Sequence, residues 1–171
     1  MKKLVLVAVV LLCMSVAVGC GGQKVEVSLE DVFEDIKAVV KADLEEVMDE
    51  EAFETEELPG YIVADLESEE AEYMLAGINE DDLEEGYMIA PMMNTSSDMI
   101  LLFQAKEGKA DSVMASLDEV LESQTETWST YLPDQFEKVE NAIIEQEGDY
   151  ILYVVYSAPE TIQEVFTEAI K

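Results

Sequence analysis

Met99–Phe103 reads MILLF and Tyr150–Tyr156 reads YILYVVY. Both are short apolar runs, and the second is dense in aromatic and β-branched residues. Apolar runs of this length, bounded by turn residues, are the signature of strands. A strand apolar at every position is covered, at least in part, on both faces. Each run has a neighbour in sequence to pair with. Gly86–Met93 (GYMIAPMM) reads as a strand joined to Met99–Phe103 across the polar loop Asn94–Asp98 (NTSSD), an antiparallel hairpin. Pro91 cannot donate a ladder hydrogen bond, so this strand lies at an edge or Pro91 lies at its end. Val139–Ile144 alternates in character, and Glu145–Asp149 contains Gly148, a turn residue, ahead of Tyr150. This predicts a second hairpin.

Outward from the hairpins the period changes to that of helices. Leu29, Val32, Phe33, Ile36, Val39, Val40, Leu44 and Val47 recur every three or four residues, predicting a helix over 28–48. Ser28 is its N-cap, and Asp31 sits where the positive end of the helix favours a carboxylate. Val113, Met114, Leu117, Val120, Leu121, Gln124 and Trp128 predict a helix over 109–129, stopped by Tyr131-Leu132-Pro133. Ser157-Ala158-Pro159-Glu160 has the form of a capping box with Ser157 as N-cap, and Ile162, Val165, Phe166, Ala169 and Ile170 form the apolar stripe that follows. Between the first helix and the first hairpin, residues 49–85 are acidic. Leu58-Pro59-Gly60 marks a turn there, Ala71, Met74, Leu75 and Ile78 suggest a short helix ending near Gly77, and Glu80–Glu85 reads as a solvated link or helical turn. The resulting order, an N-terminal helix and then two hairpin–helix units, predicts an α+β fold of two layers, with helices packed on a roughly four-stranded antiparallel sheet.

Composition excludes several kinds of chemistry. The 171 residues include nine Lys, 40 Asp and Glu, no Arg and no His, for a formal charge of −31. Without His, the Ser-His-Asp, Cys-His and His-ligated metal mechanisms are absent. A polyanion without Arg is a poor match for nucleic acid, whose affinity comes mainly from cationic contacts, and no nucleic-acid partner is expected. At 49 % hydrophobic residues the chain has enough apolar material for a core, so the charge belongs on the surface, where it favours solubility and basic partners.

The N-terminus carries an address. Lys2 and Lys3 precede an apolar stretch, Leu4–Val18, of 15 residues, shorter than the ~20 residues a membrane-spanning helix needs. Ala17-Val18-Gly19-Cys20 has the small-residue run and terminal Cys of a bacterial lipobox. On this reading residues 1–19 are a signal peptide cleaved after Gly19. Cys20 then bears a diacylglycerol and a fatty acyl chain, residues 20–27 are a tether, and 28–171 form one domain. Ala17-x-Gly19 also fits ordinary signal cleavage, which would release the protein, and an uncleaved anchor is a further alternative. Cys13 leaves with the leader, so Cys20 has no intramolecular disulfide partner in residues 20–171, and that part carries a charge of −33. Two acyl chains suffice for stable anchoring where one does not.

Taken in order, these residues resemble a known family. The acidic helix after the lipobox is followed by Gly77-Ile78, Leu83, Tyr87 and Ala90-Pro91-Met92. Then come Ser97-Asp98 before an apolar strand and Tyr131-x-Pro133 with Val139, Asn141, Gly148 and Tyr150 behind it. Over most of 28–170 this is similar to the bacterial lipoproteins grouped as DUF4358. The resemblance implies an exported, lipid-anchored α+β domain and supplies no catalytic residue. Many members have an Arg late in the second helix, where Leu121–Gln124 (LESQ) stands here.

The residues alone offer four kinds of candidate site. Forty acids always include pairs suited to glycoside hydrolysis, but most such pairs are solvated charge. Asn79–Glu85 (NEDDLEE) is rich in oxygen ligands yet lacks the spacing of a calcium loop, and no metal site is assigned. Met88, Met92, Met93 and Met99 offer thioethers, which are more often core fillers than copper ligands. The fourth is a recognition surface on two connectors, Pro91–Asp98 and Tyr131–Gln135, with Met92, Met93, Asn94, Tyr131 and Asp134 as its candidate residues. The expectation is a lipoprotein on the outer face of the cell membrane, with no catalytic residue and no cofactor beyond its acyl chains, that binds an envelope protein or a small ligand. The alternative is an envelope hydrolase dependent on carboxylates, assisted by a divalent cation.

Overall fold

A computed structural model describes residues 27–54, 57–70, 72 and 77–171. Gly19, Cys20 and the leader lie outside the described residues, as does most of the helix expected over 71–77. Four helices occur among the described residues: α1 (Leu29–Glu45), α2 (Ala110–Trp128), α3 (Pro133–Glu140) and α4 (Pro159–Ala169). Five strands accompany them: β1 (Tyr61–Asp65), β2 (Leu83–Pro91), β3 (Met99–Ala105), β4 (Ile143–Glu147) and β5 (Tyr150–Val155). The strands form one antiparallel sheet in the order β1-β2-β3-β5-β4.

The α+β reading holds, and the continuous apolar runs explain the centre of the sheet. MILLF is β3, the middle strand, and YILYVV is β5 beside it. Because side chains alternate across a strand, Leu101, Phe103, Ile151 and Tyr153 enter one core and Ile100, Leu102, Leu152 and Val154 the other. The first core is closed by Val113, Leu117, Val120 and Trp128 of α2 and Val139 of α3. The second is closed by Val32, Phe33, Ile36 and Val40 of α1 and Ile162 and Phe166 of α4. Helices therefore cover both faces, giving three layers where two were expected. The runs already carried this information, since a strand with no polar face has no face for water.

Other details also differ from expectation. A fifth strand, β1, follows the Leu58-Pro59-Gly60 turn inside the acidic middle; it is only five residues long and was masked by its charged surroundings. Leu83–Glu85, expected as part of a link, opens β2 through an irregular step in register. Val139 and Glu140 end a helix rather than start a strand, because Pro133 at the first helical position begins α3 as well as following α2. At α4 the N-cap is Ala158 and makes no side-chain cap bond, so Ser157 does not form the expected capping box. Ser28 caps α1 as anticipated, its Oγ accepting from the Asp31 amide at 3.2 Å. Pro91 sits at the end of β2 opposite Tyr61, where the ladder needs no donor from it.

One glycine is required by close packing. A Cβ on Gly86 would lie 2.6 Å from Cδ1 of its cross-strand partner Phe103, so the aromatic ring occupies the space over a residue that has no side chain. The N-cap of α2, Lys109, makes no side-chain cap bond, and the first turn is instead tied through side chains to Asp82, just before β2. Asp82 accepts from Ser112 Oγ at 2.9 Å and pairs with Lys109 at 2.7 Å. Lys109 and Ser112 together hold the Asp82 carboxyl below its ordinary range.

Candidate functional site

On the face covered by α2 and α3, α2 packs over β5 and β4 and α3 packs against α2. The strip of sheet formed by the ends of β1 and β2 borders a cleft of about 680 Å³. Its floor is Ile62, Met88, Ala90 and Met99, and its inner wall is Gln124 and Trp128 of α2. The connection from β2 to β3 supplies the rim with Met92, Met93, Asn94, Ser96, Ser97 and Asp98, and Glu70 adds a carboxylate at the mouth. This size and mixture, an apolar lining with a few polar groups, is that of a ligand site.

Met88 is buried in the core, in keeping with the core reading of the methionines. Met92 and Met93 depart from it, with 53 % and 69 % of their surfaces open to solvent. Tyr131, 57 % exposed, leans on Trp128 with ring centroids 5.8 Å apart, extending the apolar rim. Three of the five surface residues expected from sequence, Met92, Met93 and Asn94, line one opening, and Tyr131 packs on Trp128 beside it. Asp134 is the exception. It faces a smaller neighbouring depression of about 360 Å³ with Glu137, Lys138, Tyr156 and Glu160. Its carboxyl is held below the usual range by Gln135, whose Nε2 donates to it at 3.0 Å, and by backbone amides.

Between the two depressions lies a polar knot that sequence reasoning noted only as the dipeptide Ser97-Asp98. Asp98, almost fully buried, accepts from Lys138 Nζ at 2.6 Å and from the Tyr61 hydroxyl at 2.6 Å. Ser97 donates its amide to Gln135 Oε1 at 3.0 Å and its hydroxyl to the Gln135 carbonyl at 2.9 Å. One short loop is thereby fastened to β1 and α3 at once, which holds Met92 and Met93 over the cleft. In the sequence Gln124 shows only as a helical position. Its Nε2 donates to Met99 Sδ at 3.2 Å, and its buried Oε1 has no hydrogen-bond partner among the described residues. A buried acceptor in a cleft wall is ready for a ligand donor.

Burial raises the Tyr61, Tyr87, Tyr153 and Tyr156 phenols, and nearby carboxylates add to this for all but Tyr153. A folded pKa above the unfolded one keeps the proton on the native state, so the stabilisation is complete below about pH 10 and is lost as pH rises beyond it. Tyr153 offers the cleanest test, because its fully buried hydroxyl is unpaired among the described residues and burial alone causes its shift. Tyr153→Phe is expected to gain about 1 kcal/mol at neutral pH. It should also flatten the alkaline loss of stability, by at most ~1.4 kcal/mol per pH unit. Urea denaturation between neutral pH and pH 11 measures both.

Among the described residues, no helix is long and apolar enough to cross a membrane, and no group of three or more Asp, Glu, Cys or His side chains is placed to hold a metal ion. No curated protein and no solved structure matches the chain. A family model does match, over residues 63–156, a span that runs from within β1 to the end of the sheet and includes α2, α3, the polar knot apart from Tyr61, and nearly all of the cleft. The chain belongs to the family described as a domain of unknown function (DUF4358).

Proposed function

We propose that this domain is a non-catalytic binding module, held at the outer face of the cell membrane by acyl chains on Cys20, which receives an apolar ligand or segment of an envelope partner in the methionine-rimmed cleft. The observation that carries the binding reading is the exposure of Met92 and Met93 over a preformed cleft, on a loop fastened by Asp98, Lys138 and Gln135. Unbranched, polarizable Met side chains adapt to varied apolar partners, so they suit a rim that closes on a ligand. The anchor reading is supported by the lipobox run Ala17–Cys20 and the short apolar stretch before it. A carboxylate-dependent hydrolase would need two converging acids in the cleft. Among the described residues its lining carboxylates are Glu70 and Asp98, and Asp98 is already engaged by Lys138 and Tyr61.

Trp128, the single tryptophan, lines the cleft and reports on it directly. Titration with the neutral apolar dye Nile red is expected to change Trp128 emission saturably, and Met92→Asp should weaken the dye's affinity on the order of tenfold by placing a charge at the rim. A linear, unsaturable response, or one unchanged by the substitution, would refute the cleft reading. The anchor is tested separately. Cys20→Ser should move the protein from the membrane to the soluble fraction, and unaltered fractionation would remove the proposed location.

A further inference from the structure

The sheet has two edges, and they differ in a way that identifies a mode of binding. The β4 edge (IIEQE) carries Glu145 and Glu147, and Glu145 is tied to α4 by Gln163 at 2.6 Å and Thr167 at 3.1 Å. The β1 edge (YIVAD) is apolar until its last residue, and Val63 at its centre is 39 % exposed. Charged edges discourage added strands, whereas apolar ones accept them.

The backbone of β1 shows which groups are offered. Met92 donates its amide to the Gly60 carbonyl at 2.9 Å, and Ile62 and Ala64 lie opposite Ala90 and Met88. By the alternation of an antiparallel ladder, residues 62 and 64 bond to β2 while 61, 63 and 65 turn their backbone groups outward. The Tyr61 amide is used by the Leu58 carbonyl. This leaves the Tyr61 carbonyl, both groups of Val63 and the Asp65 amide along the edge, and no backbone bond to the Val63 pair occurs among the described residues.

The occupant follows from charge and from the cleft. Ile62 lines the cleft, so a strand laid beside β1 on that face extends toward its mouth and its orphaned Gln124 acceptor. Glu57 precedes the edge, and Asp65, Glu67, Glu69 and Glu70 follow it, all exposed. A second copy of this chain, itself at −31, would bring the same charges together, whereas a basic segment would neutralise them. Resting on the binding-module reading, we propose that an extended segment of a partner protein, apolar at its centre and basic at its ends, adds to the sheet alongside β1 and lays alternate side chains into the mouth of the cleft. Main-chain bonds to Val63 supply affinity, and the cleft supplies selectivity.

The probe is a synthetic peptide of alternating Leu and Thr with Lys at both ends, added to the full chain. Amide exchange at Val63 and Asp65 is expected to slow on the order of tenfold, and high salt should weaken binding. Methylating the peptide amides on the edge that meets β1 should abolish the complex, while methylating the opposite edge should leave it intact. Val63→Pro, which removes one outward donor, should weaken it as well. If the peptide perturbs Trp128 and Met93 but leaves Val63 exchange unchanged, strand addition is overturned and the cleft reading survives. If it perturbs neither, both fall. Sedimentation showing self-association through β1 in place of a peptide complex also overturns the proposal, assigning the edge to a second copy.

Discussion

Phe103→Ala is expected to remove about 4 kcal/mol of stability, a large share of the 5–15 kcal/mol typical of a domain. Phe103 lies on the middle strand, is fully buried and covers Gly86 on the neighbouring strand. The cost of such a truncation grows with the cavity left behind. Here the cavity is floored by a residue with no side chain to fill it, so relaxation is slight. Gly86→Ala is the complementary change. Alone it drives a Cβ to 2.6 Å from the Phe103 ring and should cost about 1–3 kcal/mol. Combined with Phe103→Ala the clash disappears, and the double variant should be more stable than the sum of the single losses implies. Urea denaturation of all four proteins completes the cycle, and simple additivity would mean that the two residues do not meet.

Lys138→Met is expected to cost about 3 kcal/mol. The side chain of Asp98 is only 7 % exposed, so losing the ammonium at 2.6 Å leaves a buried carboxylate with the Tyr61 hydroxyl as its one remaining side-chain partner among the described residues. Asp98→Asn should be milder, about 1–2 kcal/mol, because the amide keeps an acceptor for Tyr61 and the partly exposed Lys138 can turn to water. The functional consequence separates this pair from the core. Lys138 and Asp98 fasten the loop that carries Met92 and Met93, so Lys138→Met should also weaken Nile red binding under conditions where the protein remains folded. Equal affinity in the folded variant would show that the knot serves stability alone.

These residues also show what a one-dimensional reading could reach. MILLF and YILYVVY were legible because hydrophobicity at every position has few explanations, and the helices α1, α2 and α4 were legible from their period. YIVAD was missed as β1 because a five-residue strand between acidic segments has little local signal; its place is set by pairing with β2. PDQFEKVE was misassigned because Pro133 ends one helix and begins the next, and only the packing of Val139 under α2 decides between those roles. At the site, Met92, Met93, Asn94 and Tyr131 were legible as apolar and polar residues on a connector. The cleft itself was not, since Gln124, Trp128 and Glu70 join it only through the fold. Asp134, close in sequence to Tyr131, lines the second depression.

The binding claim is tested most directly by placing a benzophenone side chain at position 93 on the cleft rim and, in a second protein, at position 47, an apolar site on the segment after α1 that is more exposed still. Irradiated in intact cells, the protein labelled at position 93 should yield a discrete adduct with one partner or ligand, and the protein labelled at position 47 should not. Equal labelling from both positions, or no adduct from position 93, would contradict the cleft as the place where this domain does its work.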